Sequence, residues 1–502
     1  MKRFILIAVL ILLPFYAYAG TCGHSGDSVG STHCTEGGDA VNWTADSCSD
    51  DDVEYCVETC ANDDDVVNIP AGSCTWVGGG GGENEAVYVG NKQITITGAG
   101  EGSTNITWQG TDDYDSGAFT VLNQGTPKEN FIISDITFIF DTAEIESGPA
   151  VLIIWDAGNG TRVHDCTFNT LRANGVQIRY GRNIADSFPS VGMLVDNCTF
   201  NLATTSGNFK AFSILGSDWG DEWPTVGMIS WTTSWTHGSQ YAIYIEDCTF
   251  TSSQTDNVLY DGDNGGRIVF RHNTVTGSSL NTHGSVENDE QGGNLVQEVY
   301  NNTFNANGVD LMHGIGFRSG TGYIHNNTFT GYGDDGAVRF YLYCGCESAG
   351  SCSGAYACTE YPCEGQMGRG VNQALDPIYM FNNTYTTSLT VTIYDSEEDQ
   401  CGAVVDTYVL ENRDWYEEDV LFDGTAGTGS GTLANRPATC TTTGSGFGPA
   451  YWATDESKLY ICSATNTWTD SYSPYTYPHP LRGSVPVDKI IDGGTVSGGK
   501  LQ

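Results

Sequence analysis

The hydrophobic pattern of this chain is set by one short phrase that recurs. It reads VHDCTF at 163–168, VDNCTF at 195–200, IEDCTF at 245–250, FRHNTV at 270–275, VYNNTF at 299–304, IHNNTF at 324–329 and MFNNTY at 380–385, with a weaker copy, ISDITF, at 133–138. An apolar residue opens each phrase and an anchor (Ile, Cys or Asn) stands fourth. The residue two positions after the anchor is Phe, Val or Tyr. It shares a face with the anchor, because strand side chains alternate. The threonine between them points outward. The pair before the anchor, such as Glu246-Asp247, predicts a tight turn that breaks the alternation.

The anchors are Ile136, Cys166, Cys198, Cys248, Asn273, Asn302, Asn327 and Asn383, so the successive gaps are 30, 32, 50, 25, 29, 25 and 56 residues. Five of these suit one coil of a solenoid, and the two long ones predict coils with insertions or a skipped rung. The phrase NNT also matches a glycosylation acceptor. Its recurrence at one core register favours stacked asparagines that hydrogen-bond from rung to rung.

Together with VVNIPAGSCTW (66–76) and ITITGAGEGSTNITW (94–108), these phrases resemble secreted right-handed parallel β-helix proteins of the pectin-lyase-like superfamily, over roughly residues 53 to 395. QMGRG (366–370) and YPHPL (477–481) add to that resemblance. It implies an all-β chain: a right-handed parallel β-helix solenoid with a short N-terminal capping helix, a Cys-rich insertion and a small C-terminal β-hairpin module. The capping helix is expected from Asp50 to Asp52 as a cap, followed by Val53, Cys56, Val57 and Cys60 at helical spacing. The expected organisation is a signal peptide at 1–19, a disulfide-rich segment and cap at 20–65, the β-helix at 66–423 with its insertion at 344–376, and a hairpin module with a Pro- and Tyr-rich strap at 424–502. The strap is expected to cover the open end of the sheet.

Lys2 and Arg3, the apolar run Phe4 to Phe15 and Ala17-Tyr18-Ala19 read as a cleaved secretory signal. No other stretch is apolar enough to span a bilayer. The 17 cysteines agree with an oxidising compartment, secreted or at the cell surface. Cys166, Cys198 and Cys248 are core anchors. The rest fall into even sets: six from Cys22 to Cys74, six from Cys344 to Cys401, and the pair Cys440 and Cys462. Each set can close on itself in disulfides.

Charge narrows the partners. With 62 acidic against 20 basic side chains, the chain is a poor partner for nucleic acid. The same excess favours a neutral glycan, or an acidic one bridged by Ca²⁺, unless the few arginines are concentrated at the site. Acidic loops such as Asp63-Asp64-Asp65 and Asp334-Asp335 are of the kind that hold surface Ca²⁺.

The repeat register sets two outward columns side by side: Tyr244, Val269, Glu298, Tyr323 and Tyr379 in one, and Glu246, Arg271, Tyr300, His325 and Phe381 in the other. They predict an aromatic ridge for stacking on sugar rings, with Tyr244, Tyr300, Tyr323, His325 and Tyr379 as substrate-binding residues. Glu298, Arg271, His283, Arg267, Asp261, Asp263 and Arg318 are the catalytic candidates. Resemblance to pectate and pectin lyases implies proton removal beside a carboxylate, with Arg as base and Ca²⁺ held by Asp and Glu. Related β-helix hydrolases use paired carboxylates. Of the polygalacturonase series NTD, DD, HG and RIK, only His283-Gly284 is present. Two readings stand at this point: a polysaccharide lyase or glycoside hydrolase, and a non-catalytic extracellular adhesin, structural or glycan-binding β-helix.

Overall fold

Each recurring phrase folds as the corner between two strands. In the third copy, Ile243–Glu246 ends one strand and Thr249–Thr251 begins the next. Only the residue directly before the anchor makes the turn. Asp135, Asp165, Asn197, Asp247, His272, Asn301, Asn326 and Asn382 all lie at φ between 50° and 61°. That left-handed conformation costs most residues about 1–2 kcal/mol, and Asn and Asp tolerate it best. The position is therefore nearly always Asn or Asp. The expected two-residue turn is a single residue, because the one before it, such as Glu246, still ends the strand.

The structure, a computed structural model, describes residues 33–37, 41–77, 86–110, 117–122, 131–140, 150–155, 160–171, 174–179, 192–202, 210–215, 229–253, 258–263, 265–282, 286–287, 290–291, 293–309, 311, 313–332, 336–340, 365–386, 391–393, 409–442, 444 and 446–483. Among them, three sheets of 13, 10 and 10 strands form a β-helix. Apart from the pairing of Cys34–Glu36 with Asn42–Ala45, neighbouring strands of these sheets run parallel. The first sheet precedes each corner and the second follows it. The third carries strands such as Lys210–Leu215 and Val258–Asp263.

The core is the stacked column the phrases predict. Phe138, Phe168, Phe200 and Phe250 lie ring on ring at 5.3, 4.7 and 5.0 Å, and Phe304, Phe329 and Tyr385 continue at 5.0 and 5.3 Å. The asparagine anchors form a ladder. Asn302 Oδ1 accepts from the Asn273 backbone at 2.8 Å, and Asn302 Nδ2 donates to Phe270 O at 2.9 Å and to Asn327 Oδ1 at 3.0 Å. Asn327 repeats this toward Asn383 at 3.0 and 3.1 Å. A buried amide is tolerated because its polar atoms are paired. Cys166, Cys198 and Cys248 are buried free thiols, and burial pushes Cys166 and Cys198 well above the usual thiol range.

At the amino end, Ser49 caps the helix Asp50–Glu54 by accepting from Asp52 N at 3.3 Å, and a π-helical turn, Tyr55–Cys60, follows. The three aspartates expected as the cap occupy the first turn instead, where the helix dipole favours them. Val53, Cys56, Val57 and Cys60 are buried as expected. Disulfides join Cys34 to Cys56 and Cys48 to Cys74, and Cys60 is also disulfide-bonded. Cys440 pairs with Cys462. The signal segment and the cysteines from Cys344 to Cys363 and at Cys401 lie outside the described residues. Among the described residues no helix is long and apolar enough to cross a membrane.

The carboxyl-terminal module is a four-stranded sheet: Thr428–Gly431, Ala450–Ala453, Lys458–Ala464 and Thr467–Tyr472. The strap that follows does not close the end of the sheet. It runs back along the outer face of the first sheet. Tyr472 stacks on Tyr323 at 4.1 Å, Tyr475 packs on Tyr244 at 5.5 Å, and His479 N donates to Glu246 at 3.0 Å. That face carries Leu194, Tyr244, Val269, Tyr379 and Tyr416, and it is the burial of these side chains that seats the strap there.

Candidate functional site

The two outward columns exist in the register expected. Tyr244 pairs with Val269, Val269 with Glu298, Glu298 with Tyr323 and Tyr323 with Tyr379. Glu246, Arg271, Tyr300, His325 and Phe381 run beside them. The columns are not an open ridge. Tyr244, Tyr300, Tyr323, His325 and Tyr379 are at most 3% exposed, because the terminal module and strap cover them. His325 is sandwiched between Tyr300 at 4.6 Å and Phe381 at 4.7 Å, and burial lowers its pKa to about 3. No sugar ring can stack on these faces while the strap is in place.

Arg271 is likewise committed. Its Nε donates to Glu246 at 2.7 Å, and Nη1 donates to Tyr300 Oη at 2.9 Å and to Tyr475 O at 2.7 Å. Nη2 donates to Thr476 O at 2.9 Å and lies 2.6 Å from Glu246. A guanidinium has five donors, and all are taken. Arg271 latches the strap and has none left for a substrate. Arg267 is buried too, donating to Thr233 O at 3.0 Å, with its guanidinium 4.9 Å from the centre of the Trp235 ring.

Glu298 is fully buried. It accepts from Gly238 N at 2.8 Å and from Tyr472 Oη at 2.9 Å. His237 Nδ1 is 3.6 Å from it, and His237 Nε2 is 3.2 Å from Asp376. Burial acts to lower the His237 pKa, but the two carboxylates outweigh it and raise the value to about 9. Neither His237 nor Asp376 belongs to the repeat. They lie inside the 50- and 56-residue gaps, and those gaps were the available signal.

The remaining catalytic candidates fall on another sheet. Asp261 and Asp263 lie on the third-sheet strand Val258–Asp263, and Arg318 directly follows the strand Ile315–Phe317. His283 lies outside the described residues. Thus Glu298, Arg271 and Arg267 stand on the first sheet, whereas Asp261 and Arg318 belong to the third.

The third sheet has its own polar column. Ser213 pairs with Asp261 and Asp261 with Asn281. The pairing of Leu280 with Ile315 puts Asn281 beside Gly316, and Gly316 pairs with Arg339. The Lys210 ammonium contacts the Asp261 carboxylate. At Gly316 a Cβ would sit 2.6 Å from His313 Nε2 and 2.9 Å from Asn281 Oδ1, so only glycine leaves room for both side chains. His313 is buried, and burial, then Arg339 and Arg318, lower its pKa to about 3. Its imidazole is therefore neutral at pH 7, in the field of two guanidiniums. Lys210, His313 and Asn281 were missed from sequence.

The acidic loop at 63–65 is built into the fold. Asp63 accepts from Gln93 N at 3.0 Å, and Asp65 accepts from Trp43 Nε1 at 3.0 Å and Asn62 N at 2.7 Å. Among the described residues no three His, Cys, Asp or Glu side chains gather as metal ligands.

No family model matches the chain, and no curated protein matches it. Solved structures do. The chain is similar to an alginate lyase from Paenibacillus sp. str. FPU-7, at 12% identity over 70% of this chain and 97% of that one, with a TM-score of 0.36. A PL6 family polysaccharide lyase from Pseudopedobacter saltans matches at 13% identity over 80% and 87%, with a TM-score of 0.31. The A-module of a mannuronan C-5 epimerase from Azotobacter vinelandii matches at 10% identity over 68% and 92%, with a TM-score of 0.23. These are likenesses of fold.

Proposed function

We propose that the protein acts on an extracellular acidic polysaccharide along the outward face of the third sheet, cleaving it by β-elimination. The observation that carries this reading is the placing of Arg318 and Arg339 near His313, beside Asn281 and Gly316, with the Lys210–Asp261 pair further along the same sheet. Three of only 20 basic side chains lie on one face of a chain with 62 acidic ones. Concentrated cations there are what a polyuronate would need in order to approach this chain at all.

The roles follow from charge. Arg318 and Arg339 neutralise the uronate carboxylate, which makes the proton on the adjacent carbon removable. Lys210 is oriented by Asp261 and shares that task. His313 accepts the proton, the freed electron pair forms a carbon–carbon double bond as the bond to the glycosidic oxygen on the next carbon breaks, and the leaving oxygen takes a proton from water. The imidazole is a weak base in the free protein because burial, and then the two guanidiniums, disfavour its charged form, and a bound carboxylate offsets the guanidinium charge and raises its pKa from there. The disulfides suit an extracellular setting.

The test is incubation of the full chain with a panel of polyuronates and neutral glycans, following the ultraviolet absorbance of unsaturated ends and the release of reducing ends. Unsaturated product from a polyuronate, lost in Arg339→Ala and His313→Ala with melting unchanged, is expected. Reducing ends without unsaturation would replace elimination by hydrolysis. Binding with no product from any substrate would leave a non-catalytic glycan-binding β-helix.

A further inference from the structure

The two longest gaps in the repeat meet in space. Residues from Ser234 to His237, in the 50-residue gap, face residues from Gly370 to Asp376, in the 56-residue gap. With the first-sheet residues Thr321 and Tyr323 and with Phe447 of the terminal module, they line a cavity of about 500 Å³. We propose that this cavity is a second carbohydrate site, taking one neutral sugar unit, separate from the third-sheet face.

Its size lies within the roughly 300–1,000 Å³ usual for small-molecule sites. Its walls combine the rings of Trp235 and Phe447 with a few polar groups, which is the lining that suits a ring with one apolar face and a rim of hydroxyls, while the faces of Tyr323 are covered by Tyr379 and Tyr472. Two of those polar groups have no protein partner. Thr321 is 1% exposed, and its Oγ1 makes no hydrogen bond; the buried Trp235 Nε1 makes none either. Buried donors and acceptors are nearly always paired, so both point to a ligand that is polar at those positions. Asp376 Oδ2 is engaged by His237 at 3.2 Å, and the carboxylate retains capacity to accept from sugar hydroxyls.

Charge selects the class of sugar. Asp376 is the carboxylate that lines the cavity, with the His237 imidazolium beside it, Glu298 behind His237 and the Arg267 guanidinium against Trp235, so the wall offers no net positive charge. A uronate would face the Asp376 carboxylate here without a compensating cation, whereas it is attracted to Lys210, Arg318 and Arg339. A neutral unit carries no such penalty. The loops that interrupt the solenoid thus build a site that no regular coil could supply.

The experiment titrates the full chain, by calorimetry or ligand-observed NMR, with glucose, galactose, mannose, N-acetylglucosamine, galacturonate and glucuronate. Saturable binding of at least one neutral sugar is expected, with the uronates about tenfold weaker or worse. Thr321→Val should weaken it about tenfold, and Asp376→Asn by at least as much. Arg339→Ala should leave it unchanged, while abolishing any product from polyuronate. Loss of product formation in the wild type therefore bears on the third-sheet reading and not on this one. Absence of neutral-sugar binding to the wild type would overturn the proposal. So would uronate binding as tight as neutral, or unchanged affinity in Thr321→Val and Asp376→Asn with wild-type melting.

Discussion

His237 makes the stability of this protein depend on pH on the alkaline side. Its side chain is 11% exposed and sits between Asp376 and Glu298, with the Tyr323 ring edge-on at 4.6 Å. Glu298 also accepts from Tyr472, so the cluster ties the 229–240 loop, the first sheet and the terminal module together. The phenols of Tyr323 and Tyr472 are pushed well above their usual range by burial and do not titrate in the relevant window. The His237 pKa rises from the ordinary 6.5 to about 9 in the fold. A base raised in this way contributes stability that is complete below 6.5 and disappears as pH climbs through 9. At about 1.4 kcal/mol per pH unit, the contribution is about 3 kcal/mol. The assay is melting of the wild type and His237→Gln at constant ionic strength, from about pH 6.5 to about pH 10. The wild type should be more stable by several degrees at the lower pH, and the gap should close at the upper. A gap that stays constant across the range would refute the reasoning, because no proton would then be linked to folding at this residue.

Three further outcomes are expected. Asn302→Ala removes a buried amide that bonds three groups and leaves the Asn273 amide without its acceptor; a loss of about 2 kcal/mol in denaturant unfolding is expected. Arg271→Met strips the strap of two carbonyl contacts and leaves Glu246 with Arg482 at 2.7 Å; limited proteolysis should then cut the 473–483 segment faster than in the wild type, and equal rates would show the latch to be unimportant. Turnover of a polyuronate should rise with salt from low ionic strength, because a chain of net charge −42 repels it beyond the reach of three cations; it should fall again once the Debye length drops below about 8 Å and the local contacts are screened.

The solenoid was legible because its corner is a strict structural device. One left-handed residue, one buried anchor, one outward threonine and one large apolar residue, aromatic in all copies but that of Val275, follow in order, and each restricts the residue type. Chemistry was less legible for a geometric reason. On the third sheet Asn281 comes 8 residues after its anchor Asn273, whereas Ser213 comes 15 after Cys198. The connection into the third sheet varies in length, so the register that aligns Asp261, Asn281, Gly316 and Arg339 cannot be counted from the phrase. The first-sheet columns could be counted, and for that reason they attracted the site assignment. Counting gave their register but not their burial. The cover comes from a tail 174 to 230 residues further on, as the bonds of Tyr472 and Tyr477 to Glu298 and Asp247 show.

That cover also explains why charged residues on the first sheet look catalytic in sequence. Asp196 and Glu246 occupy neighbouring rungs of one parallel pair, and like charges so placed destabilise a sheet. The fold resolves this with arginines. Arg162 holds Asp196 through bonds of 2.7 and 2.8 Å, and Arg271 holds Glu246. Arg482 bridges the two, at 3.3 Å from Asp196 and 2.7 Å from Glu246. These acids and bases saturate one another beneath the strap, so each is spent on closing the face. In a solenoid every strand offers an outward column, and a polar column alone does not distinguish a clasp from a site. What distinguishes them is whether donors and acceptors are left over. Arg271 has none. Thr321 and Trp235 do, and they stand where the two insertions meet.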